Sequence, residues 1–95
     1  MVQFDWNDEK DEKLRRERGV SFEEVVFHIF NGDILSIVEH PNQRRYAGQK
    51  IMFLRMGDYV YMVPYQRQED VVFLKTIIPS RKATQKYLRK NEWKF

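Results

Sequence analysis

Cysteine is absent from this chain of 95 residues, which excludes disulfides, thiolate metal sites and a cysteine nucleophile together. That fits a reducing cytoplasm. Glycine and proline are sparse, at four and three, and no linker, low-complexity tract or internal repeat interrupts the chain. No segment approaches the roughly 18 consecutive apolar residues of a membrane span. The start, Met1-Val2-Gln3-Phe4-Asp5-Trp6, lacks the basic and apolar regions of a signal peptide, so a soluble, unexported protein is expected. Phosphate loop, dinucleotide fingerprint, nucleophile elbow and zinc-protease helix motif are all missing. Histidine is limited to His28 and His40, neither with a companion at metal-ligand spacing, so no metal and no cofactor are expected.

What is present is charge and aromatic surface. Charged residues make up 33% and aromatics 15%, enough apolar material for one core but not two. A single domain over residues 1–95 follows. The net charge of +3 hides a gradient: residues 1–30 carry −3, residues 31–79 carry +1, and residues 80–95 carry +5. A partner feels the local field more than the sum, so the basic end points to a polyanion or to an acidic surface.

Local signals divide the chain. Phe4-Asp5-Trp6 alternates as a short strand, and Asn7 caps a charged helix from Asp8 to Arg18 that stops at Gly19. Leu14 is its only large apolar residue. Ser21 with Glu24 forms a capping box and Val20 with Val25 a hydrophobic staple, opening a second helix that runs to Gly32 and is expected to be buried on most sides. His28 falls one turn after Glu24 on its polar side. From Ile34 the period becomes two, giving strands at about 34–39, 49–56, 59–66 and 71–78, with Gly57-Asp58 as a two-residue turn. Across that turn Lys50, Met52, Leu54, Tyr61, Val63 and Tyr65 share one face, and Ile51, Phe53, Arg55, Val60 and Met62 the other. Helices are expected over one face, leaving the Tyr-rich face for the C-terminal helix or a ligand. The fold class is therefore α+β: a short strand and two helices, a four-stranded, mainly antiparallel sheet, and a basic C-terminal helix.

The junction Ile77-Ile78-Pro79-Ser80-Arg81-Lys82-Ala83-Thr84 carries the strongest functional signal. Ser80 caps the last helix, yet Arg81 and Lys82 occupy its first turn, where the macrodipole disfavours cations. Cations beside free backbone N–H groups suit a phosphate, although a solvated helix end gives the same pattern. Lys82, Lys86 and Arg89 line one side, with Trp93 beyond them, while Ala83, Thr84, Tyr87 and Leu88 form a packing arc. The loop from His40 to Gly48 presents Arg44, Arg45 and Tyr46, and loops held by strands are common places for sites. Basic residues interleaved with rings suit single-stranded nucleic acid: Arg44, Arg45, Tyr46, Lys50, Tyr61, Tyr65, Lys75, Arg81, Lys82, Lys86 and Arg89 supply both. The side of the sheet on which Lys75 falls is left open by the glycine-free turn at Gln68-Glu69. The same residue types serve metal-free RNA cleavage, which needs a base for the 2′-hydroxyl, cations for the phosphate and an acid for the leaving oxygen. On local chemistry Arg81 and Lys50 are the candidate phosphate cations, and His40 or Tyr46 the proton carriers.

Trp6, Lys10, Leu14 and Gly19, followed by Val20-Ser21-Phe22-Glu23-Glu24-Val25, resemble the opening of BrnT-type toxins, which typically read Trp-Asp-x-x-Lys, then Asn, then Lys-His-Gly-Val-Ser-Phe-Glu-Glu-Ala. The Ile77 to Thr84 junction is similar to that family's Ile-Ile-Ser-Ala-Arg-Lys-Ala-Thr. Leu14 stands where the family usually has Asn, and Glu17-Arg18 where it has Lys-His. The resemblance implies a RelE-like fold, a metal-independent endoribonuclease that arrests translation, a ribbon-helix-helix antitoxin, and operator DNA bound only through the antitoxin complex; Arg81 and Lys10 match its motifs. A homodimer is compatible with this. Two other readings remain: a non-catalytic RNA- or DNA-binding module, whose affinity falls steeply with salt, and a protein-interaction domain whose basic helix docks an acidic partner.

Overall fold

Capping chemistry sets both N-terminal helices. In the computed structural model, which describes residues 1–89, Asn7 is extended and its side chain accepts from the Lys10 N–H, opening α1 (Asp8–Arg18). Acids fill the first turn of α1 and arginines the last, as the macrodipole favours. Gly19 ends it at φ 67°, a conformation that costs glycine nothing. Ser21 then starts α2 (Phe22–Phe30) with both bonds of the capping box in place. The buried Asp11 carboxylate ties the two helices by accepting from the Phe22 N–H at 2.8 Å.

Five strands follow the order β1-β5-β4-β3-β2: β1 (Gln3–Trp6), β2 (Ile34–Glu39), β3 (Gln49–Met56), β4 (Tyr59–Gln68) and β5 (Val71–Leu74). A two-residue β6 (Ile78–Pro79) pairs with β4, and α3 (Arg81–Leu88) completes the described fold. The architecture is α+β with a mixed sheet. Met56 pairs with Tyr59 around Gly57-Asp58, as the turn composition requires. No helix among the described residues is long and apolar enough to cross a membrane. Trp93 lies outside the described residues.

Four features differ from the sequence reading. The N-terminal strand is part of the sheet, paired in parallel with β5 from Gln3↔Val71 to Trp6↔Leu74, because Phe4 and Trp6 need the cover of α2, where they meet Phe30 and Phe22. The expected strand 71–78 is broken. Lys75 N–H donates to Pro64 C=O, but proline has no N–H to return, so the ladder lapses and resumes at Met62↔Ile78 with one extra residue on the β5–β6 side. Helix α2 is buried on one side only: Phe22 and Val25 are fully enclosed, whereas Phe27 and Phe30 are 64% and 76% exposed. Finally, the Tyr-rich face is the one under α1 and α2. Met52, Leu54, Val63 and Tyr65 pack there with Leu14, Phe22 and Val25.

Helix α3 lies on the opposite face. The buried Thr84 hydroxyl accepts from Val60 N–H and donates to Ser80 C=O, and Tyr87 shares a 2.8 Å hydrogen bond with Ser36. These contacts place α3 over β4, β3 and β2.

Candidate functional site

Two basic surfaces flank the α3 side of the sheet. The first is the helix itself: Ser80 Oγ accepts from Ala83 N–H, no acid sits in the first turn, and Arg81 and Lys82 project exposed from it. Lys82 and Lys86 stand beside a groove of about 350 Å³ whose other walls include Val38, Phe53, Met62 and Tyr87. The Lys86 ammonium lies 5.3 Å from the Tyr87 ring centre. Arg89 closes the described helix and is exposed.

The second surface is the 40–48 loop, which is tightly organised despite its exposure. Asn42 C=O accepts from Tyr46 N–H and its side chain from Arg45 N–H, making a compact turn. Gln43 donates to the carbonyls of His40 and Gln49 and accepts from Gly48 N–H, tying the loop to its own base. The His40 ring lies over Tyr46 with centroids 4.3 Å apart, and the Arg45 guanidinium is 5.4 Å from the Tyr46 ring. Asn42 N–H donates to His40 Nδ1, so the neutral ring carries its proton on Nε2. Arg44 is fully on the surface beside them. His40, Arg45 and Tyr46 are thus brought together as one cluster.

Strand geometry keeps the loop apart from the start of α3. His40 N–H bonds Gln49 C=O, while Ser80 N–H bonds Val60 C=O opposite Arg55. Six residues of β3 separate those points, about 20 Å at 3.3 Å per residue. Lys50 is paired with Tyr65 on the face of α1 and α2, where it borders a depression with Arg67 and Glu69. It lies on the opposite face of the sheet from α3 and about 17 Å along the strand from the start of that helix. An arrangement in which Lys50 and Arg81 flank one phosphate is not brought together. Lys10 sits on α1 next to Asn7, Glu9 and Lys13, a surface apart from both.

Lys75, unassigned by the sequence, falls on the α3 side of the sheet. Its ammonium is 4.9 Å from the Phe73 ring, and both border a depression of about 460 Å³ with Gln66 and Gln68. The sequence pattern places Gln68 in a turn, whereas β4 runs two residues past its expected end at 66. Arg18 is marked in the sequence only as a departure from the family's Lys-His. Its guanidinium donates to Ile77 C=O at 2.6 Å, so the two motif-bearing segments touch in space. Tyr61 and Tyr65 are unsuited to stacking bases: both pack into or against the core, and burial raises both phenols above their ordinary value. Phe53, Phe73 and Tyr87 are rings that the α3 side offers instead. Among the described residues no cluster of three or more His, Asp and Glu side chains could hold a metal ion.

Compared with known proteins, the chain matches no protein-family model, no curated protein and no solved structure.

Proposed function

We propose that this chain is the toxin of a type II toxin–antitoxin system, a metal-independent endoribonuclease that arrests translation. The observation that carries the reading is α3: a capped helix with two cations and no acid in its first turn, laid across a sheet beside a second cationic and aromatic cluster. The BrnT-like wording of both terminal segments supports the same conclusion. Arg81, Lys82, Lys86 and Arg89 bind phosphates of a single strand, Lys75 adds a cation on the same face, and the strand reaches Arg44, Arg45 and the His40–Tyr46 pair. Cleavage belongs at that loop, because a proton carrier and phosphate cations occur there side by side. The 2′-hydroxyl loses its proton as it attacks the adjacent phosphorus, the 5′-oxygen leaves with a proton, and a cyclic phosphate remains. His40 and Tyr46 are the candidate carriers. In the tautomer described, His40 Nε2–H is a hydrogen-bond donor toward the phosphate; protonating the leaving oxygen takes the imidazolium form, in which Nδ1 no longer accepts from Asn42 N–H.

The system implies a ribbon-helix-helix antitoxin, with operator DNA engaged through that complex. A second reading, a non-catalytic RNA- or DNA-binding module, is favoured by the 20 Å gap between the loop and Arg81, since binding tolerates distributed cations and chemistry does not.

The test is a labelled single-stranded RNA incubated with the pure protein in EDTA. Cleavage to cyclic-phosphate ends, reduced about 100-fold or more by His40→Ala and mainly through weaker binding by Arg81→Ala, is the expected outcome. Salt-sensitive binding without cleavage leaves the binding module instead.

A further inference from the structure

We infer that the β2 edge and the groove beside it are a docking site for an extended segment of a second protein, one that alternates apolar and acidic residues and adds to the sheet as a strand. Three observations converge. First, β2 is the outer strand of the sheet, and it reads Ile34-Leu35-Ser36-Ile37-Val38-Glu39. It carries no Lys or Pro to discourage pairing. His40 N–H points at β3, so by alternation the N–H and C=O groups of Ile37 and Glu39 point outward. Second, Ile37 and Val38 are 47% and 44% exposed, more than a solvated edge needs. Third, Val38 opens directly into the groove floored by Phe53 and Met62, and Lys82 and Lys86 stand on its rim.

Backbone pairing to β2 supplies affinity. Alternate side chains lie on opposite faces of the sheet, so the carboxylates fall on the α3 side, where they meet Lys82 and Lys86 at the rim of the groove. The apolar side chains fall on the other side, beside the exposed Ile37. Charge decides between occupants. A second copy paired antiparallel through β2 would be related by an axis perpendicular to the sheet, which sets the two α3 helices side by side on one face. Lys82 and Lys86 would then approach their own counterparts, and like charges oppose that arrangement. Single-stranded RNA matches the lysines but makes no use of the outward amide edge or of the exposed Ile37 side chain. An acidic, strand-forming polypeptide satisfies all three. The inference does not depend on RNA cleavage, and its test reads no cleavage.

The probe is a fluorescein-labelled peptide of about nine residues alternating valine and glutamate, followed by anisotropy against the full chain. Its control replaces glutamate with lysine. Ile37→Pro removes an outward N–H without touching the ladder to β3, and the pair Lys82→Glu/Lys86→Glu reverses the rim. The glutamate peptide is expected to bind the wild type, to weaken about ten-fold or more with either variant, and to lose its advantage over the lysine peptide on the reversed rim. It should also protect the Ile37 and Glu39 amides of the wild type from hydrogen exchange, a readout independent of whether the proline variant folds. Four results overturn the inference: no binding at millimolar peptide, binding unchanged by both variants, a wild-type homodimer that Ile37→Pro dissociates, or protection of the same amides by single-stranded RNA.

Discussion

The Thr84 hydroxyl accepts from Val60 N–H and donates to Ser80 C=O while almost wholly removed from solvent. Thr84→Val keeps the shape and deletes both bonds, leaving a buried N–H without a partner. The expected loss is about 1–3 kcal/mol, read as a lower urea midpoint with an unchanged slope. Asp33 acts through charge instead. His28 Nδ1–H and Asn31 Nδ2–H donate to its Oδ2, and these hydrogen bonds hold its carboxyl below the ordinary 3.8. A carboxyl depressed in the folded state contributes stability that is complete above its unfolded value and is lost as pH falls through the lower folded value. Asp33→Asn should therefore flatten the fall in melting temperature with acid below about pH 4.

Helix α2 illustrates what sequence pattern can and cannot reveal about an element. Its start was legible, since Ser21, Glu24, Val20 and Val25 are local signals that report on one another within a single turn. Its sidedness was not, because Phe27 and Phe30 look like core residues in one dimension. Phe27→Ser is expected to change stability by less than about 0.5 kcal/mol, whereas Phe22→Ala, fully enclosed against Trp6, should cost about 3–5 kcal/mol in denaturant unfolding. The break between β5 and β6 was illegible for a different reason. It is caused by Pro64 on the neighbouring strand, and a strand's own residues do not disclose what its partner fails to donate. At the candidate site, α3 and the 40–48 loop were legible from capping and charge. The separation of Lys50 from Arg81 was not, because it depends on which sheet face the helices choose.

At the scale of the molecule, two layers of helices enclose the sheet unequally: α1 and α2 bury one face, while α3 leaves the end near Phe73 and Lys75 open. On the proposed reading, the basic surfaces at the loop and at α3 are separate anchors for one polyanion. Removing Arg44 and Arg45 and removing Lys82 and Lys86 should weaken RNA binding by free energies that add, within about 0.5 kcal/mol, in fluorescence titrations. Each pair should also reduce the slope of log affinity against log salt by up to about 1.4. Coupling much larger than that would mean the two surfaces touch the same phosphate.

The parallel pairing of β1 with β5 constrains the order in which the molecule can be built. Gln3 meets Val71, its partner 68 positions later, and Gln3 N–H closes on Asp70 C=O. Strand β1 is consequently denied its place in the sheet until β5 has emerged from the ribosome, some seconds later at ordinary rates of synthesis. Phe4 and Trp6 can find α2 during that interval, but the sheet edge they belong to does not yet exist. Helix α3 emerges later still, so the basic face is the last part of the described fold to be assembled.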